Sequence, residues 1–325
     1  MAKRTMVQAI NEALHQKMHE DTSVIVLGED VGVDGGVFRA TIDLIETFGA
    51  ERVIDTPLGE SSIVGASIGM AMNGLKPVAE IQFMGFIYQG FDQLLNHAAR
   101  MRHRSQGRYA ASIVVRAPYG AGVKALEHHS ESTEAHFAHI PGLKVVIPAT
   151  PEDAKGLLVS AIEDPDPVVF LEPKRLYRLK RELVPDELYR TPIGKARIAR
   201  EGTDVSVITY GAMVPVALAA AEQLSAHHVN VEVLDLRTIL PFDVEAITKS
   251  VQKTGRAVIV HEAPRLFGVG AELTAQISER CLLHLLAPVK RVTGYDIVPP
   301  LSRLEDYNYP SAEKIIRAIH ETLEF

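Results

Sequence analysis

Tryptophan is absent, cysteine occurs once, and no apolar run among the 325 residues is long enough to cross a bilayer. The lone Cys281 excludes a disulfide framework and any metal site built from cysteines alone. It reads as a core residue rather than a nucleophile, in a reducing, cytoplasmic setting. The most apolar stretches, 63–75 and 281–289, are interrupted by Gly, Ser, Asn or His. Both fall short of the roughly 18 to 20 residues that a spanning helix needs, so no membrane segment is expected. Residues 1–5 lead into a polar amphipathic pattern instead of an apolar core, which argues against a signal peptide. Basic excess is also missing: Lys+Arg 34 against Asp+Glu 41 leaves −7, without any long Lys/Arg stripe. That excludes the electrostatic footprint of a nucleic-acid binder and points to a basic partner. No internal repeat, no low-complexity segment and no GxxxxGK[ST] phosphate loop occurs.

What is present is a chain of 46% apolar residues, long enough for about two packed domains. Short β-branched runs alternate with helical patterns, which predicts an α/β fold of parallel sheets covered by helices. The first series places strands at 24–27, 78–81, 113–116 and 144–147, with helices at 61–73, 91–104 and 151–163. In the last of these, Thr150 is the cap, Pro151 opens the helix and Asp153 follows. The second series places strands at 205–209, 231–234, 257–260 and 290–292, with helices at 214–226, 244–253, 270–280 and 312–323. Between them runs a Pro- and charge-rich stretch, 173–203, anchored by Leu176, Tyr177, Leu183 and Ile193. The expected domains are 1–185 and 204–325, joined by a linker at 186–203.

Ligands of parallel sheets bind beyond the carboxyl ends of the strands. That rule selects Glu29-Asp30, Gln82-Phe83 and the loop 117–130 in the first domain. In the second it selects Tyr210-Gly211, Asp235 to Arg237, His261-Glu262 and Gly294 to Asp296. Gly120-Ala121-Gly122-Val123-Lys124-Ala125 imitates a dinucleotide fingerprint. However, Pro118 and Tyr119 separate it from its strand and no acid follows at the required distance, so it reads as a flexible active-site loop. The segment 128–139 holds His128, His129, His136 and His139, yet without HExxH or a cysteine partner these imidazoles read as capping or packing groups before metal ligands. Ser130 lies on no GxSxG elbow. In Asp55-Thr56-Pro57-Leu58-Gly59-Glu60, a tight turn delivers Glu60 to a helix N-terminus backed by apolar residues. By itself that describes an acid stabilised by the helix dipole, worth about 0.3–1 kcal/mol.

Taken together, these segments resemble a known family. They are Gly28-Glu29-Asp30-Val31-Gly32, Asp55 to Glu60, Ala79-Glu80-Ile81-Gln82-Phe83, His129-Ser130-Glu131-Ser132, Pro141 to Pro148, Asp153 to Leu158, Asp235-Leu236-Arg237-Thr238 and Lys253-Thr254-Gly255-Arg256. The chain resembles, over essentially its whole length, the β subunit of the E1 component of 2-oxo acid dehydrogenase complexes. The resemblance implies a thiamine-diphosphate pyrimidine-binding domain followed by a transketolase C-terminal-like domain. It also implies an α2β2 heterotetramer in which the α subunit holds the diphosphate and Mg²⁺ through a GDG…N motif that this sequence lacks.

Carried over residue by residue, Glu60 would hydrogen-bond N1′ of the aminopyrimidine as a protonated carboxyl. Phe86 would stack on that ring, and Leu58 would line its pocket. His129 would assist acyl transfer to lipoamide, with His128 the alternative if the register slips by one. The Ala161 carbonyl, Asp164 and Asp166 would surround a monovalent cation such as K⁺, although a helix C-cap followed by Pro165 and Pro167 explains the same residues. The partners implied are the E1 α subunit and the lipoyl and subunit-binding domains of the E2 lipoyl acyltransferase. Glu321, Glu324 and Phe325 offer an acidic docking end for the latter. The substrate is a 2-oxo acid: segments 134–139, 172–178 and 292–296 look more like branched-chain members, whereas 32–36 and 210–213 also suit pyruvate members. The branched-chain acid is slightly preferred. A noncatalytic assembly subunit that kept the fold is the alternative of another class.

Overall fold

The computed structural model describes residues 1–325, which divide into two compact units, 1–119 with 136–193, and 120–135 with 194–325. The first unit contains β1 (Ala2–Arg4), β2 (Val24–Gly28), β3 (Val53–Asp55), β4 (Lys76–Glu80), β5 (Val114–Tyr119), β6 (Lys144–Val146), β7 (Val168–Pro173) and β8 (Glu182–Val184). Its main helices are α1 (Met6–Glu20), α2 (Leu44–Phe48), α3 (Glu60–Met72), α4 (Met101–Arg104), α5 (Glu134–Ala138, which begins in the other unit) and α6 (Pro151–Glu163). Six of these strands lie side by side, all parallel, in the order β6-β7-β5-β4-β2-β3. β2, β5 and β7 are buried along their whole length, as strands covered on both faces must be.

Local chemistry explains where the helices start. Thr5 and Gln8 form a reciprocal capping box that opens α1, whose buried Met6, Ile10, Ala13, Leu14 and Lys17 follow helical spacing. Thr150 accepts from the Asp153 amide at 3.1 Å and Pro151 opens α6, as the sequence predicts. The helix expected at 91–104 is instead broken into a 3₁₀ turn over Met84–Gly90, a π-helical stretch over Gln93–Ala98 and α4. Both irregular pieces pack on α3, so the segment bends along that helix rather than running straight past it.

One buried ionic group crosses the carboxyl ends of three strands. Arg116 donates to Glu80 at 2.7 Å and to both oxygens of Glu172 at 2.7 and 3.0 Å, while the Tyr177 hydroxyl donates to Glu172 at 2.6 Å. Burial raises Glu80 above its ordinary range, and Arg116 opposes that shift.

The structure places the division of the chain differently from the expected linker at 186–203. Residues 189–191 are fastened to α6. The Tyr189 hydroxyl donates to the Glu152 carbonyl at 2.6 Å, the Thr191 amide to the Gly156 carbonyl at 3.1 Å, and Arg190 to Glu163 at 2.7 Å. A Cβ on Gly156 would stand 2.2 Å from Thr191 Oγ1, which shows how close the two segments lie. Leu176 and Tyr177 are buried anchors as expected, but Leu183 is exposed. Val184 takes the inward place because β8 pairs antiparallel with β1 in the register Ala2↔Val184.

The second unit contains β9 (Arg197–Arg200), β10 (Val205–Thr209), β11 (Val231–Asp235), β12 (Thr238–Leu240), β13 (Ala257–Pro264) and β14 (Lys290–Gly294). Its helices are α7 (Met213–Ser225), α8 (Val244–Thr254), α9 (Val269–Cys281), α10 (Glu305–Asn308) and α11 (Ala312–Leu323). Five strands follow the order β14-β13-β10-β11-β9, with only β9 antiparallel to its neighbour. β9 thus begins this sheet inside the stretch expected to be linker. Asp243 caps α8 by accepting from the Ala246 amide, and Gly255 at φ 68° ends that helix in the left-handed conformation. Cys281 is buried on α9. No helix is long and apolar enough to cross a membrane.

Candidate active site

The carboxyl ends of β2, β3 and β4 converge with the start of α3. Asp55, the last residue of β3, accepts from the Gly32 and Val33 amides at 2.6 and 3.1 Å and so pins the loop after β2. A Cβ on Gly32 would lie 2.8 Å from that carboxylate, a direct reason for glycine there. Gly59 precedes α3 without any side-chain cap, and its amide serves the Glu29 carboxylate. Glu60 is the first residue of α3, 4% exposed, and its Oε2 has no hydrogen-bond partner. Glu29 Oε1 is also buried and without one. Burial, reinforced by the neighbouring Glu60, holds the Glu29 carboxyl above its ordinary range, against the opposing pull of the Gly59 amide.

Two acids, each with a buried and unused oxygen, stand at this helix start, an arrangement that calls for a donor from outside the chain. The 3₁₀ turn carrying Phe86 packs against this helix start: a Cβ on Gly90 would lie 3.1 Å from the Glu60 carbonyl oxygen. Phe86 meets Phe83 edge to face at 5.7 Å, and Phe83 meets Phe38 at 5.4 Å, giving one aromatic wall. Leu58 projects into solvent, 79% exposed. Glu60, Leu58 and the turn carrying Phe86 thus stand at one end of one sheet. Glu29 is marked by its place after a strand and by its segment of the resemblance; its closeness to Glu60 needs the parallel alignment of β2 and β3, which no local pattern reveals.

The residues expected around a monovalent cation are engaged otherwise. The Asp164 carboxylate receives the Lys144 ammonium at 2.6 Å on both oxygens, Asp166 pairs with Arg102 at 2.7 Å, and the Ala161 carbonyl accepts from the Asp164 amide. A helix C-cap with two ion pairs therefore accounts for all three. No group of three or more His, Cys, Asp or Glu side chains is placed to hold a metal ion.

In the second unit, His128 and His129 lie on a 3₁₀ turn over Glu127–His129, half-buried, with ring centroids 4.3 Å apart. The loop leading to them, expected to be flexible, is tethered. The Ala121 amide donates to Glu262 at 3.3 Å and the Gly122 amide to Glu305 at 3.1 Å. Gly120 sits at φ +74°, and a Cβ there would be 2.5 Å from Glu262 Oε1. Beside this loop the Tyr210 hydroxyl donates to Glu134 at 2.6 Å, and burial pushes the stacked His261 imidazole down to about 4, leaving it neutral at pH 7.

The acidic C-terminal end is less acidic than its sequence. Glu321 pairs with Lys290 at 2.7 Å, which holds its carboxyl below the ordinary range. The adjoining cavity, about 470 Å³, is lined by Arg265, Arg291, Lys314 and Arg317 as well. Glu324 and Phe325 remain exposed.

Comparison with known protein families matches the sequence to two domain models. Residues 2–180 match the transketolase pyrimidine binding domain and residues 194–315 the transketolase C-terminal domain. Among curated relatives, the pyruvate dehydrogenase E1 component subunit beta of Acholeplasma laidlawii is 52% identical over 99% of this chain and 98% of its own. That of Bacillus subtilis (strain 168) is 50% identical over the full length of both, and that of Staphylococcus aureus (strain Mu50) is 51% identical. A solved structure described as a split gene transketolase, inactive beta4 tetramer, superposes with a TM-score of 0.81 over 99% of each chain at 21% identity, which shows the shared fold. The chain belongs to the family of β subunits of the E1 component of 2-oxo acid dehydrogenases, built from a transketolase pyrimidine-binding domain and a transketolase C-terminal domain.

Proposed function

We propose that this chain supplies the pyrimidine half of a thiamine-diphosphate site in a pyruvate dehydrogenase E1 heterotetramer. The observation that carries the reading is the buried Glu60 carboxyl with its unused Oε2 at the start of α3, beside Phe86 and the exposed Leu58. These residues fit an aminopyrimidine: a flat ring with a basic nitrogen for the acid, an aromatic face for Phe86 and an apolar edge for Leu58. When bound, thiamine diphosphate supplies the electron sink that decarboxylation of a 2-oxo acid requires. The chain's own contribution is to hold and exchange a proton at the Glu60 carboxyl. An E1 α subunit would hold the diphosphate and Mg²⁺. His129 would deliver a proton to lipoyl sulfur as the acyl group moves to E2, a step that suits an imidazole. Glu324 and Phe325, rather than the paired Glu321, would meet the E2 subunit-binding domain. The ion pairs of Asp164 and Asp166 give no support to a K⁺ site.

The substrate proposal follows the relatives, whose names specify pyruvate at 50–52% identity. It sets aside the branched-chain preference drawn from segments 134–139, 172–178 and 292–296. Reconstituted with its α partner, the enzyme is expected to favour pyruvate over 3-methyl-2-oxobutanoate in kcat/KM. Extra methylenes in an apolar pocket are worth roughly 1–3 kcal/mol, so the ratio should be about 10- to 200-fold. A ratio favouring the branched acid would restore the other substrate while leaving the family untouched.

A further inference from the structure

The loop that brings His128 and His129 into place is closed at several points. The Gly120 amide donates to the Glu131 carbonyl at 3.0 Å, joining the two ends of the loop. Inside that closure the Glu305 carboxylate reaches across. Its Oε1 accepts from the Gly122 amide at 3.1 Å, and its Oε2 from the Ser130 hydroxyl at 3.4 Å. Four residues further along, the Tyr309 hydroxyl donates to the Ser130 carbonyl at 3.3 Å. Glu305 is 1% exposed, Ser130 2% and Tyr309 2%, so the bonds to Ser130 are buried, while the one from Gly122 lies nearer the surface. Asn308, on the same short helix, accepts from the Tyr295 amide at 3.1 Å and ties that helix to the loop after β14.

A carboxylate is costly to bury unless its oxygens are hydrogen-bonded, and here both oxygens serve one loop. Removing it would leave the buried Ser130 hydroxyl without its acceptor and release the Gly122 amide from its tether, on either side of the histidines. Ser130 directly follows His129, so whatever fixes the Ser130 backbone also fixes the imidazole's point of attachment. We propose that Glu305 and Tyr309 are positioning residues for His129, holding its turn in register for acyl transfer while taking no part in cofactor activation. The inference rests on the reading of His129 as the acyl-transfer residue.

The test uses the enzyme reconstituted with its α partner and compares two rates: acylation of an E2 lipoyl domain, and decarboxylation coupled to an artificial electron acceptor. Misplacing a reacting group by about 1 Å can cost on the order of 100-fold. Glu305→Ala is therefore expected to slow acylation about 10- to 100-fold and to slow acceptor-coupled decarboxylation much less. Glu305→Gln, which keeps an accepting oxygen, should recover part of the loss, and Tyr309→Phe should give a smaller loss of the same selectivity. Combined with His129→Ala, Glu305→Ala should add little, because an imidazole that is gone cannot be misplaced. Additive losses in the double variant, or equal losses in both assays for Glu305→Gln and Tyr309→Phe, would overturn the positioning role. If His129→Ala itself left acylation unchanged, the underlying reading of His129 would fall, whatever Glu305 does.

Discussion

Glu60→Gln is expected to lower C2-proton exchange of the bound cofactor about 100- to 10,000-fold, the range that a positioned acid–base group contributes. The amide has the same shape and can still hydrogen-bond, so α3 should keep its start and the 3₁₀ turn of Phe86 its seat. What the amide cannot do is gain and lose a proton. A second consequence separates the chemical effect from a structural one. Glu29 is held above its ordinary carboxyl range by burial and by Glu60. The folded state therefore binds that proton more tightly than the unfolded chain. Such a group favours folding at low pH, and that stability is lost as pH rises above the unfolded value of 4.5. Removing the Glu60 charge should weaken that loss, so urea melts of Glu60→Gln should fall off less between pH 4 and 7 than those of the parent. A variant with unchanged proton exchange would remove Glu60 from the chemistry. One with lowered exchange and a collapsed fold would show structural damage instead.

Much of this site was legible because its parts are local. The turn Asp55 to Glu60 and the helix behind it are contiguous, and the helix starts within one residue of its expected position. The rule that ligands lie beyond strand ends picks out Glu29, Gln82, His261 and Glu262 from the sequence alone. The helices α6 and α11 run over the expected residues; Thr150 marks the first in the sequence, and in the structure Ser311 caps the second. What stayed hidden depends on contacts distant in sequence. β3 is three residues long and too short to show a period, and β7 is an interior strand of its sheet although its Val168-Val169-Phe170-Leu171 run follows two prolines that read as a loop. Residues 186–193 look like a linker by composition, yet Gly156 opens a slot on α6 that receives Thr191. Glu305 has no motif at all. Its role is visible only once Gly122 and Ser130 are seen to share its carboxylate. Glu321 failed as a free docking charge for the same kind of reason, since Lys290 lies on a neighbouring strand.

The second large effect concerns what the chain does alone. Binding a diphosphate with Mg²⁺ takes clustered backbone amides or carboxylate ligands for the metal. Neither a GDG motif nor a phosphate loop occurs in the sequence, and no cluster of acidic or imidazole groups is placed for a metal. The proposed pyrimidine site offers two acids, an aromatic wall and an exposed leucine, which amounts to a fraction of a cofactor's contacts. Isothermal titration of thiamine diphosphate with Mg²⁺ into the purified chain, before and after mixing with its α partner, tests the half-site directly. The chain alone should give no tight binding and no 2-oxo acid decarboxylation, and the mixture should give one cofactor per αβ pair together with activity. A dissociation constant of about 1 μM or lower for the chain by itself, some −8 kcal/mol, would contradict the account.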